Sequence, residues 1–163
     1  MRFSLLELAA IVGIGGSILA VAVPSFGRSL SASKLSEPLD ALARMSRTAV
    51  ARAEQHTQPE SFPPSVELTP VEVPRGVRVR APEGSWEHLS WRALDFRFEH
   101  EQAYAYKFES SFDPVSGRAR FWATAHGDLD GDGTWSTLQT QGERLPGEAA
   151  RGRAGLFVAP AVE

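Results

Sequence analysis

Between His126 and Leu138 the chain reads HGDLDGDGTWSTL, which sets Asp128, Asp130 and Asp132 at alternate positions just ahead of Gly133. Carboxylates spaced this closely repel one another unless a cation lies between them. Oxygen-rich calcium loops use this arrangement at their positions one, three and five, with glycine at six for the sharp turn and a backbone carbonyl at seven. Counted that way, the carbonyl of Thr134 and an oxygen of Ser136 join the three carboxylates, and the predicted site is a structural Ca2+ centre. Where a helix-loop-helix calcium loop has its bidentate Glu, this chain has Gln139, so Glu143 or a side chain from elsewhere must complete the shell. The competing reading is a plain hairpin turn, because Asp-Gly pairs turn tightly without any ion. Three spaced aspartates exceed what a turn needs.

The second chemically loaded residue is Glu7. It stands near the start of residues 3–26, FSLLELAAIVGIGGSILAVAVPSF, and no charged residue follows it there. A bilayer core of roughly 30 Å is crossed by about 20 apolar residues in a helix, so the stretch is long enough to span. An ionised carboxylate in such surroundings costs about 2.5–3.5 kcal/mol on insertion scales and calls for a partner. The candidates are Arg2 and an α-amino group, its own or that of a neighbouring copy. Pairing with a neighbour's amine would make Glu7 an assembly device. Gly13, Gly15 and Gly16 let backbones approach closely, and Pro24 removes a helical hydrogen bond, so the segment is compliant as well as apolar.

These residues carry a family likeness. The run FSLLEL with Glu7 in fifth place, the apolar stretch with Gly16 and Pro24, and the amphipathic pattern after it resemble the N-terminus of type IV pilins and pseudopilins. The resemblance implies cleavage by a prepilin peptidase before Phe3 and N-methylation of Phe3. It further implies residence in the inner membrane, then assembly by inner-membrane machinery into a helical cell-surface filament with copies of itself and other pilins. The sequence departs from the family at Arg2, where prepilin peptidases favour Gly, and the leader is only Met1 and Arg2. Within the class the alternative is a type II secretion pseudopilin. Outside it, the alternative is a non-polymerising single-span membrane protein with an exported calcium-binding recognition domain, a reading that Arg2 supports.

Composition narrows the rest. With 163 residues, 42% hydrophobic content and a net charge of −3, there is room for one small globular domain beyond the N-terminal segment. The absence of cysteine removes disulfides, thiolate nucleophiles and cysteine-bound zinc together, so calcium would stand in for the bridge that closes the C-terminal loop in many pilins. The four histidines have no zinc spacing and read as surface residues, and there is no GxSxG or Walker-type glycine loop, so no enzyme is indicated. The charge balance favours no nucleic-acid partner, and Arg75, Arg78 and Arg80 read as the wet face of a strand.

The elements that must position these groups follow from periodicity. Over residues 27–58, Leu35, Leu39, Leu42, Met45, Ala49, Val50 and Ala53 recur at three and four, the mark of an amphipathic helix, with Pro38 as a bend. Joined to the apolar stretch, about 55 residues would give a rod of roughly 80 Å. Proline-rich residues 59–74 read as a connecting loop. Alternation at Val77/Val79, Leu94/Phe96/Phe98, Tyr104/Tyr106/Phe108 and 119–125 predicts half-buried strands, with SSFDPVSG turning a hairpin and Leu156, Phe157 and Val158 forming a last edge strand. Trp86 and Trp91 are expected to pack onto the helix. The predicted architecture is α+β in the pilin manner: leader 1–2, apolar helix 3–26, amphipathic helix 27–58, and a head over 59–163 whose antiparallel sheet packs on the outer half of one long helix.

Overall fold

In the computed structural model, helix α1 occupies residues 35–53 and carries its apolar residues on one stripe. Leu42, Met45, Ala49 and Ala53 recur at three and four and are all buried, whereas Asp40, Arg44 and Arg47 on the other side are exposed. Such a helix needs a surface to cover. The structure describes residues 35–153 and 157–158, so the segment 3–26 with Phe3, Glu7, Gly16 and Pro24, and Arg2 before it, lies outside the described residues. The chain divides into two compact units, Met1–Ser36 and Glu37–Glu163, and the elements below belong to the second.

The covered surface is a six-stranded antiparallel sheet: β1 (Val66–Thr69), β2 (Ala105–Asp113), β3 (Arg118–Gly127) and β4 (Ser136–Arg144) in that order, with β5 (Arg151–Gly152) and β6 (Phe157–Val158) both on the outer edge of β4. Alternation sorts its faces. Tyr106, Phe108, Phe121, Ala123, Ala125 and Leu138 share the inner face and are buried, while Lys107, Glu109, Gln139 and Gln141 lie on the outer one. The helix approaches closely at the β5 side, where a Cβ added to Gly152 would stand 3.0 Å from the Ser46 hydroxyl. On β4, a Cβ at Gly142 would fall 2.2 Å from a ring carbon of Phe121, so only glycine admits that ring. The β2–β3 hairpin forms as the sequence suggests, with Asp113 accepting from the Val115 amide and the Ser116 hydroxyl.

Several expectations are corrected. The pilin-type α+β fold with one long N-terminal helix does not hold: among the described residues the helix runs only over 35–53, the rest is predominantly β, and no helix is long and apolar enough to cross a membrane. The described helix is amphipathic, built to cover a sheet, and Arg144 closes it by donating to the carbonyls of Ala53 and His56. Residues 59–74 are not all loop, since Val66–Thr69 pairs with β2. Val77 and Val79 form no strand; this stretch contributes only isolated bridges, Arg75 to Asp128 and Val79 to Gln102.

Nor is there a strand at Leu94, Phe96 and Phe98. A short helix α2 (Leu89–Ala93), capped by His88, ends in a turn with Asp95 at φ 47°. Its alternation arises because the turn aims these residues into one aromatic cluster. Trp86 lies 5.3 Å from Trp91 and 5.5 Å from Phe96, and Phe98 stacks on Tyr106 at 5.1 Å. The cluster meets α1 through Arg44, whose guanidinium stands 4.8 Å from the Phe96 ring centre.

Glu37 ties the start of the second unit to the sheet. One carboxylate oxygen accepts from the Ala103 amide at 2.9 Å and the Tyr106 hydroxyl at 3.3 Å; the other pairs with Arg78, which also donates to the Glu101 carbonyl. Burial, and then the Glu37 charge, push Tyr104 up to about 12 and Tyr106 higher still from an ordinary 10.0. Since the unfolded chain releases these protons first, stability is untouched below pH 10 and falls as pH rises above it, by about 1.4 kcal/mol per pH unit for each tyrosine until its folded-state pKa, about 12 for Tyr104, is passed. These are the only two tyrosines, so phenolate absorbance reports them alone. In an alkaline titration it should stay flat through pH 10 and rise together with loss of far-ultraviolet ellipticity; an ordinary transition in the folded protein would show the phenols to be wet.

Candidate metal centre

The aspartate loop connects β3 to β4, whose last and first residues, Gly127 and Ser136, are register partners. Asp128 is buried, 1% exposed, and organises the turn: one oxygen accepts from the Gly131 amide at 2.8 Å and the other from the Gly133 amide at 3.0 Å. The next two aspartates repeat the device on a smaller scale. Asp130 accepts from the Asp132 amide at 3.1 Å and Asp132 from the Thr134 amide at 2.6 Å. Gly131 and Gly133 take φ of 81° and 92°, values that favour glycine. One carboxylate oxygen from each aspartate lies within 4.8 Å of the others.

A neighbouring segment backs the loop. The Gly76 amide donates to the Asp128 carbonyl at 2.7 Å, and Gly131 packs against the Gly76 backbone. Gly76, next to Arg75, which reads from sequence as the wet face of a strand, thus braces the loop through main chain alone. Pro74-Arg75-Gly76 is a turn signal, but which loop it would brace could not be read from it.

Of the predicted ligand set, Asp128, Asp130 and Asp132 converge. Thr134 is exposed, and Ser136 is the buried first residue of β4. Glu143 does not complete the shell: it lies seven residues along β4, about 23 Å away at 3.3 Å per residue, opposite Arg120 and bonded to Arg151 and Arg153. Gln139 is on the sheet as well, donating to the Thr124 hydroxyl at 3.0 Å. His126, read as a surface residue, is half-buried beside Trp135 and 2.9 Å from the Thr137 hydroxyl; burial, then the Lys107 charge, holds its pKa below the ordinary value.

A set of three hard carboxylates suits a cation such as Ca2+ or Mg2+ and offers nothing to a soft metal. Without an ion, the same bonds make a self-closed turn. Compared with protein-family models, curated proteins and solved structures, the chain matches none.

The bonding assigns unequal weights to the aspartates. Asp128→Ala leaves two loop amides without their acceptor and should cost about 2–3 kcal/mol in denaturant unfolding measured in chelator. Asp132→Ala, at an exposed position with one such bond, should cost about 1 kcal/mol or less. Equal losses would show that the loop is not organised from Asp128.

Proposed function

We propose that this chain is a subunit of a type IV pilus or a related filament, exported to the cell surface and assembled through its N-terminal segment, with a Ca2+ ion fastening the β3–β4 loop. The observation that carries the reading is the run FSLLELAAIVGIGGSILAVAVPSF, in which Glu7 is the only charge in a stretch otherwise long enough to span a bilayer. In support, Glu37–Glu163 is a compact unit with its own core, as expected of a head carried on an assembling segment. Glu7 would pair with the N-terminal amine of a neighbouring copy, setting register as copies are added. Glu7→Ala should therefore abolish incorporation into sheared surface filaments while membrane insertion and head folding persist; normal incorporation would sink the assignment.

The second reading, an anchored recognition domain that never polymerises, is favoured by Arg2 in place of the glycine that prepilin peptidases prefer. Intact mass separates the two. A chain beginning at methylated Phe3 in filaments supports the subunit, and a full-length chain confined to membranes supports the anchored domain.

The calcium proposal is tested on its own. Added Ca2+ at 100 times its dissociation constant should stabilise the head by about 2.7 kcal/mol, and Asp130→Asn with Asp132→Asn should abolish the response. Identical unfolding midpoints in Ca2+ and in chelator would leave the loop a turn.

A further inference from the structure

At the far end of the sheet from the aspartate loop, the outer face carries Arg118 and Arg120 two residues apart on β3, roughly 7 Å along the strand. Like charges at that spacing would ordinarily be offset by facing carboxylates. Neither guanidinium forms an ion pair or a side-chain hydrogen bond among the described residues. Asp113, the register partner of Arg118, has both carboxylate oxygens engaged by its own turn, to the Val115 amide at 3.0 Å and the Ser116 hydroxyl at 2.6 Å. Glu143, the partner of Arg120 on β4, is bonded to Arg151 and Arg153.

Between these groups lies a hollow of about 250 Å3 lined by Ser111, Asp113, Ser116, Arg118 and Arg120. The Arg118 Nε is buried without a hydrogen-bond partner, and the Ser111 hydroxyl, directly opposite Arg120, also makes no hydrogen bond among the described residues. An orphan buried N–H is costly unless an acceptor meets it, and a guanidinium matches oxyanions in geometry and charge. The hollow therefore sets two guanidinium groups, neither in an ion pair among the described residues, and a free hydroxyl against one carboxylate, Asp113, whose charge acts on Arg118.

We propose that this hollow is an oxyanion site, in which Arg118 and Arg120 clasp a phosphate, sulfate or carboxylate group and Ser111 adds a hydroxyl donor. It stands independently of the filament reading and of the metal, because it lies at the opposite end of β3 from Asp128. The anion is accepted from the strand face and needs no movement of the sheet.

Titration calorimetry of the full-length chain in detergent tests it, using inorganic phosphate, sulfate and acetate in turn, with ionic strength held constant by sodium chloride. One anion should bind per chain with a dissociation constant on the order of 1 mM or tighter. Preference for phosphate and sulfate over acetate identifies a tetrahedral ligand, and the reverse a carboxylate. Arg120→Ala should weaken binding at least tenfold, Ser111→Ala more mildly, and Arg92→Ala, an exposed arginine on α2, not at all. Circular dichroism of the Arg120 and Ser111 variants checks the fold. No saturable heat beyond that of chloride, or binding unaffected by Arg120→Ala, overturns the proposal.

Discussion

One guanidinium holds the head together. Arg144, the last residue of β4, reaches across to the end of α1 and donates to the carbonyls of Ala53 and His56 and to the Ser61 hydroxyl. A helix ends with carbonyls that have no amide to accept from, and with a partial negative charge. Arg144 answers both from the sheet itself, so helix, connecting loop and central strand share one anchor. The inner face can then be covered by a single helix, whose stripe of Leu42, Met45, Ala49 and Ala53 matches the alanines and aromatic rings of β2 and β3.

That anchor divides the sheet into two ends with different chemistry. At the Arg144 end, β3 carries Arg118 and Arg120 on its outer face, and the β2–β3 turn closes on Asp113. At the other end, the β3–β4 connection gathers three carboxylates, the strap at Gly76 braces them, and Glu37 fixes the start of the head through Tyr106 and Arg78. Glu37 itself is held by a backbone amide, a phenol and a guanidinium. Burial first, and the Glu37 charge after it, raises the pKa of both tyrosines. On the inner face, the span between the two rims is filled mainly by aromatic rings, alanine and Leu138.

What the sequence made legible was what local patterning governs. The three-and-four spacing from Leu42 to Ala53 gave the helix, the alternation from Tyr104 to Phe108 gave β2, and DPVSG gave the hairpin, because in each the periodicity of burial equals that of the backbone. The same rule misled at Leu94, Phe96 and Phe98, where a turn at Asp95 delivers alternate residues to one cluster without any strand. It hid β1, since a four-residue edge strand among prolines has too few positions to alternate. The aspartate triplet was legible as a cluster because its members lie close in sequence. The Gly76 brace and the distance of Glu143 were not, because both depend on strand register, which only the assembled sheet defines. The single long helix was an extrapolation from two adjoining patterns, and the described helix carries water-facing charge along its length.

The absence of cysteine gives the C-terminal region a requirement that a metal in the aspartate loop would not meet. That loop joins β3 to β4, and those strands are already paired over nine residues on each side. An ion there would stiffen a connection that the sheet has made. In the segment after β4, β5 and β6 contribute two paired residues each. It is held instead by side chains from two other elements. Glu54 on the turn after α1 accepts the Ala150 amide at 2.7 Å, and Glu143 bonds Arg151 at 3.4 Å and Arg153 at 3.3 Å. Burial alone would raise the Glu143 carboxyl, but the bonds and charge of Arg153 and Arg151 outweigh it and hold the group below the usual carboxylate range. The Glu143 part of this closure is electrostatic, is present while Glu143 is ionised and is lost as pH falls through its lowered pKa. The aspartate loop and the Glu143 contacts lie at opposite ends of β4, so loss of either should leave the other in place.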